Sequence, residues 1–237
     1  MRRVLLPVVL VVLAAGCGGG TSAETTGPAT TAPPATTTEA DPGKTAVEAF
    51  AAAARSGNAA SLWALLSTSS RERLGPTLER FRTGTAAELT EGLGSIERVR
   101  TIVSERITPE FGVVAIDGRR DGKPAVYAAA LRLEGAQWKL ELGGPVRVRP
   151  IGPDADAREP VVAQIAAAVE GPGGTGTAVM YLDGQVVNPE VRGTSANSTL
   201  FANFDPALDP GRHTVVLFAS DDREASATAW AFTVGKK

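Results

Sequence analysis

The chain has 237 residues, with 26 acidic and 24 basic side chains, a formal charge of −2, one cysteine and one histidine. So even a balance leaves no electrostatic footprint for nucleic acid, and one cysteine forms no internal disulfide. One histidine beside one cysteine completes no zinc or copper set, so a fold of this length must be held by burial alone.

The first residues divide into the three parts of an export signal. Met1-Arg2-Arg3 is cationic, Val4 to Leu13 is apolar, and Ala14-Ala15-Gly16 offers small side chains to a peptidase. An apolar run this short does not span a hydrocarbon core, which needs about 20 helical residues. Leu13-Ala14-Ala15-Gly16-Cys17 resembles the lipobox of bacterial lipoproteins, although Ala14 stands where leucine is commonest. The resemblance implies cleavage after residue 16 and lipid, palmitate included, on Cys17. That lipid would anchor the protein to a membrane on its extracytoplasmic face. Loss of Arg2 and Arg3 takes the charge from −2 to −4 (−2 minus 2). The resemblance leaves open whether the membrane is a Gram-positive plasma membrane or a Gram-negative outer membrane.

Residues 17–41 are rich in Thr, Pro, Ala and Gly, with no aromatic and no large aliphatic side chain. Such a segment buries too little to offset its ordering entropy, which predicts a disordered tether with a reach on the order of 25–30 Å. A helix is predicted from the capping-box pattern Thr45 to Glu48, with Val47, Phe50 and Ala54 on one stripe and Gly57-Asn58 ending it. A second runs from Ala59 to Ser67, and a third from Ser70 to Thr83, started or kinked by Gly75-Pro76. A short helical turn follows over Ala86 to Leu93.

After Ser95 the period changes to that of strands: Arg98 to Ile107, Phe111 to Ile116, then Tyr127 to Leu133 and Trp138 to Leu142. Asp117-Gly118, Asp121-Gly122 and Glu134-Gly135-Ala136 read as turns. Helices followed by an antiparallel meander predict an α+β domain with helices on one face of a curved sheet. The pattern Val47-x-x-Phe50, Gly57-Asn58, a Leu/Trp helix, Ser69-x-Arg71 and Leu133-Glu134-Gly135-Ala136-Gln137-Trp138-Lys139 resembles the NTF2-like, cone-shaped α+β domains. That resemblance implies a domain over 42–150 and a cavity that Trp63, Tyr127 and Trp138 would line, with ordinary core packing as the simpler role for these aromatics.

A Pro/Gly/Asp-rich linker is predicted over 151–159, and an all-β domain over 160–237. Its strands are Val161 to Val169, Thr177 to Leu182, Thr199 to Phe204, His213 to Ala219, read as alternating, and Thr228 to Val234. Leu208-Asp209-Pro210-Gly211-Arg212-His213-Thr214-Val215 and Ala229-Trp230-Ala231-Phe232-Thr233-Val234 resemble the carboxy-terminal half of bacterial immunoglobulin-like sandwich domains.

No catalytic set emerges. His213 is expected to bond a backbone carbonyl and pin the Pro210-Gly211 corner. Asp183, Asp205, Asp209, Asp221 and Asp222 lie in different turns, where turn chemistry outweighs calcium binding. Asp117, Glu134 and Glu141 are placed at turns or on an outer strand face, and Ser67-Thr68-Ser69-Ser70 is expected to have no base nearby. Gly171-Pro172-Gly173-Gly174 lacks the helix and lysine of a phosphate cradle, so no cofactor is expected. The expected function is a non-enzymatic binding or scaffolding module at the cell envelope, with an envelope protein or a glycan as partner. The rival is a small-molecule binder or weak isomerase or hydrolase acting in the cone-shaped cavity.

Overall fold

The computed structural model describes residues 42–94, 96–171, 173–174 and 176–235. The expected signal segment, Cys17 and the tether over 17–41 lie outside the described residues.

Helix α1, Pro42–Arg55, begins three residues before the predicted capping box. Proline suits a first helical position because its φ is preset and its missing N–H would have had no helical partner. The helix ends in paired reverse bonds, Gly57 N–H to Ala54 O at 3.0 Å and Asn58 N–H to Ala53 O at 3.0 Å. Gly57 takes the left-handed conformation this cap requires, φ +63°. Asn58 then caps α2, Ala59–Leu65, by accepting the Ser61 N–H.

The predicted third helix is two. Helix α3, Thr68–Leu74, starts from the Ser67 hydroxyl, and α4, Leu78–Thr83, from that of Thr77. Gly75-Pro76 separates them, since proline bars its predecessor from helical geometry. Helix α5 is Thr85–Gly94.

Four strands follow as an antiparallel meander, β1 Ile96–Arg106, β2 Phe111–Arg120, β3 Lys123–Glu134 and β4 Gln137–Glu141, in spatial order β1-β2-β3-β4. Asp117-Gly118 is no turn: both residues sit inside β2, opposite Val126 and Ala125 of β3. The glycine meets a different demand, because a Cβ there would lie 2.6 Å from Ile96 Cγ2 and 2.7 Å from the Glu97 carbonyl, where β1 bulges inward. Asp121-Gly122 makes the hairpin turn, with Arg120 opposite Lys123.

The second region is a sandwich of two sheets. Strands β5 Arg147–Gly152, β7 Gln164–Glu170, β10 Glu190–Gly193 and β11 Asn197–Asn203 form one, in order β10-β11-β7-β5. Strands β6 Arg158–Glu159, β8 Thr177–Leu182, β9 Gln185–Val187, β12 Gly211–Ser220 and β13 Ala225–Val234 form the other, in order β6-β13-β12-β8-β9. Ile165, Met180, Leu200, Leu217, Trp230 and Phe232 fill the space between them.

This topology moves two expected borders. Strand β5 pairs with β7 from Arg147 onward, so the first region ends before residue 150. The predicted linker over 151–159 contains the end of β5 and all of β6, which runs parallel to β13. Backbone pairing needs no apolar side chains, so these short strands, RVRPIG and RE, gave little pattern to read.

The larger correction concerns the first sheet. Its helix-facing side carries Ile96, Val114, Ile116, Leu131 and Leu140 against Phe50, Leu62, Leu66 and Phe81. Its other side carries Val103, Phe111, Val113, Ala115, Ala128 and Ala130, which pack on Tyr181, Val216, Phe218 and Ala225 of β8, β12 and β13. The described residues therefore stack as helices, the sheet β1-β2-β3-β4, the sheet β6-β13-β12-β8-β9 and the sheet β10-β11-β7-β5. Strand β12 does not alternate as predicted, since Thr214 to Ser220 are all buried: one face fills the sandwich and the other fills the junction. Strands buried on both faces read as continuous apolar runs. Among the described residues, no helix is long and apolar enough to cross a membrane.

Candidate functional site

The densest polar cluster lies at the junction of the two regions. Glu141, predicted on an outer face or turn, ends β4 with its side chain fully buried. One carboxylate oxygen takes a hydrogen bond from Ser69 Oγ at 2.8 Å and lies 2.5 Å from Arg73 Nη2. The other is 2.9 Å from Arg132 Nε. Arg73 reaches across the junction to Glu224 Oε2 at 2.9 Å, and Arg132 donates to the Arg223 carbonyl. Glu224 is aimed by its own turn, in which Asp221 Oδ1 accepts the N–H groups of Arg223 and Glu224, both at 2.7 Å.

Local structure explains how helix and sheet meet here. The Ser67 N–H donates to the Leu140 carbonyl at 2.9 Å, and the Leu142 N–H donates to Ser70 Oγ at 2.7 Å, stitching the start of α3 to β4. Glu134, at the β3–β4 hairpin, accepts the Thr68 N–H at 2.6 Å. Glu141, which accepts the Ser69 hydroxyl, thus places a carboxylate beside the serine-rich stretch, contrary to the sequence expectation. That carboxylate is a poor base. Burial raises its pKa, but the hydroxyls of Ser67 and Ser69 and the Arg132 guanidinium outweigh burial and hold it below the usual range. Two carboxylates and two guanidiniums balance, so the arrangement is chemically an ionic clasp. Burial and the neighbouring Glu141 carboxylate raise the pKa of Glu224.

Two more polar links cross the junction: Tyr181 donates to Glu105 Oε2 at 2.8 Å, and Arg212 Nη1 lies 3.4 Å from Asp117 Oδ1. Burial and then the Glu105 carboxylate push the Tyr181 hydroxyl well up.

His213 holds its corner as predicted, with Nε2 2.8 Å from the Asp209 carbonyl. Sequence reading missed its second partner, Asp183 Oδ2, 2.7 Å from Nδ1. Thirty residues separate Asp183 from His213, and only the pairing of β8 with β12 brings them together. A carbonyl and a carboxylate on opposite ring nitrogens favour the doubly protonated imidazolium. Partial burial lowers the pKa of His213, but these two acceptors outweigh burial and the net shift is upward.

The three candidate pocket aromatics are spread around the rim of the first core. Trp63 Nε1 donates to the Gly75 carbonyl at 2.9 Å, and the Arg71 guanidinium lies 4.8 Å from the indole centroid. Trp138 lies against the backbone of β2, its ring 3.4 Å from where a Gly112 side chain would start. Burial pushes the Tyr127 hydroxyl up to about 12. Four of the clefts among the described residues are lined by none of the three.

The largest of those clefts, about 500 Å³, is an Ala-rich groove between α1 and α2. Two others, of about 350 and 370 Å³, share Lys123, Pro124, Asp156, Arg212 and Ala231 and overlap at one cleft. It lies between the β2–β3 hairpin and the second region. The fourth, about 340 Å³, adjoins Glu110, Asp221 and Asp222.

No protein-family model matches the chain. No curated protein matches it either. Among solved structures it is similar to an endo-beta-1,4-mannanase from Thermotoga petrophila, at 12% identity over 41% of this chain and 21% of that one, TM-score 0.32. It is also similar to titin M4, at 14% identity over 38% of this chain and 92% of that one, TM-score 0.26. A third similarity is to titin M10 in complex with an obscurin-like 1 Ig domain, at 19% identity over 38% and 94%, TM-score 0.26. The chain spans about a fifth of the mannanase.

Proposed function

We propose that this protein is an extracytoplasmic lipoprotein, anchored by lipid on Cys17, whose folded part is a non-enzymatic binding or scaffolding module at the cell envelope. We further read the first region as NTF2-like and the second as a bacterial immunoglobulin-like sandwich. The helix order and four-stranded meander support the first reading, and the two-sheet topology supports the second.

The observation that carries the binding-module reading is the shared apolar layer between the regions, Val113, Ala115 and Ala130 against Val216 and Phe218. Two modules fused through a common core present surfaces at fixed spacing, which suits a scaffold. Two of the ionisable groups weighed for chemistry, Glu141 and His213, are engaged in holding that body together. Glu141 belongs to the junction clasp, and both nitrogens of His213 are taken by its corner. The cavity reading gains no comparable support, because Leu62, Leu66 and Phe81 fill the space between helices and sheet.

Two experiments test the proposal. Cys17→Ala should abolish fatty-acid labelling and release the protein from the membrane fraction; retention of label or membrane by the variant sinks the anchor. Crosslinking in the native envelope followed by affinity capture should recover one reproducible protein or glycan. Repeated capture of none sinks the binding module.

A further inference from the structure

The cleft between the β2–β3 hairpin and the second region has walls fixed before any ligand arrives. On one side the hairpin turns tightly through Asp121-Gly122, and Arg119 Nε bonds the Gly122 carbonyl at 3.0 Å. On the other, Asp156 N–H donates to the Ala231 carbonyl at 2.7 Å, fastening the β5–β6 loop to β13. Arg212 is braced by Asp117 at 3.4 Å and keeps about a third of its side chain exposed. Preformed clefts at domain junctions, with a few fixed polar groups, are where small ligands bind with least ordering cost.

The lining narrows the chemistry. Lys123 and Arg212 supply positive charge, Asp121 and Asp156 supply acceptors, and Pro124 and Ala231 give a small aliphatic floor. Trp230 and Phe232 are 2% and 1% exposed, so neither offers an open ring on which a nucleobase could stack. A volume of about 350–370 Å³ is at the small end of ligand clefts, the size for one or two sugar rings. We infer that this cleft binds an acidic saccharide unit, its carboxylate or phosphate between Lys123 and Arg212 and its hydroxyls on Asp121 and Asp156. The inference rests on the binding-module reading and names the ligand class.

The full chain is titrated by calorimetry with glucuronic acid, glucose 6-phosphate, glucose and inorganic phosphate. The two acidic sugars should bind saturably and weaken with added salt, as exposed charge pairs do. Glucose and phosphate alone should bind at least ten-fold more weakly. Lys123→Ala, at an exposed hairpin position, should weaken both acidic sugars at least ten-fold. Arg149→Ala, on the far sheet, should leave them unchanged. Absence of saturable binding, equal binding of glucose, or full binding by Lys123→Glu overturns the inference. Envelope capture repeated with Lys123→Glu separates the two readings. A parent chain that binds no acidic sugar but still recovers a partner leaves the binding module standing and removes this site.

Discussion

The sheet β1-β2-β3-β4 and the sheet β10-β11-β7-β5 have four strands each, yet they stand in opposite surroundings. The first is covered on both faces, by helices and by the second region, and the first six residues of β2 are buried, from Phe111 through Ile116. The second is covered on one face only. Its strand β11 alternates, with Ser198, Leu200 and Ala202 buried and Thr199 and Phe201 half-exposed beneath residues such as Arg192. In β2 and β12 the run without alternation goes with a second partner, the other region of the chain.

The strongest way to break this contrast is a charge in the shared layer. Val216→Asp should leave no cooperatively folded protein, because an unpaired buried carboxylate costs well over about 5 kcal/mol. Thr199→Asp on the open face of β11 should stay within about 0.5 kcal/mol. Urea denaturation of both variants reads the difference, and equal sensitivity would show the junction to be loose.

Next in size is Glu141→Gln. Removing one charge from a buried clasp leaves Arg73 and Arg132 under-compensated, at a cost of about 3–5 kcal/mol. The sign with pH follows from the lowered folded pKa of Glu141. Its stabilisation is present above the unfolded value, about 4.3, and is lost as pH falls through the lower folded value. The variant should consequently show a shallower loss of stability in acid than the parent, measured as the melting midpoint from pH 7 to pH 3.

Gly75→Ala tests how closely the helical layer is built. A Cβ at this position would sit 2.6 Å from the backbone N and Cα of Phe81, which leaves no flexible atom to yield. A loss of about 1–3 kcal/mol is expected, whereas Gly152→Ala, with nothing within 4 Å, should be nearly silent in the same melt.

A smaller effect than that of Gly75→Ala belongs to His213→Ala, about 1 kcal/mol in stability. Because the folded pKa of His213 is raised, its contribution is complete below the unfolded value of about 6.5. It fades as pH rises through the folded value. Parent and variant should therefore converge at alkaline pH, and a difference that grows there would mean that the neutral ring does the holding.

The sequence was most legible where a local rule acts alone. Gly57-Asn58 ended a helix, Asp121-Gly122 turned a hairpin, and Pro210-Gly211 with His213 made a corner, each using only neighbouring backbone. It was least legible where one residue type serves two purposes. Asp117-Gly118 carries a turn signature, but the glycine admits the bulge of β1 and the aspartate faces Arg100 and Arg212. Glu141 alternates with Leu140 as a surface residue would, and its partners come from α3, β3 and a turn more than eighty residues downstream.

By itself the sequence determined the order of elements, helices first and strands after, because hydrophobic period and capping are local properties of the chain. It also determined that one cysteine and one histidine leave the described fold to be held by burial and hydrogen bonds. Only the tertiary structure decided that the two regions share a core, that a neutral clasp of Arg73, Arg132, Glu141 and Glu224 closes it, and that a charged cleft opens beside Arg212. Each of these depends on which faces meet, and a face that buries itself against a distant partner has the same local pattern as one that meets its own neighbours.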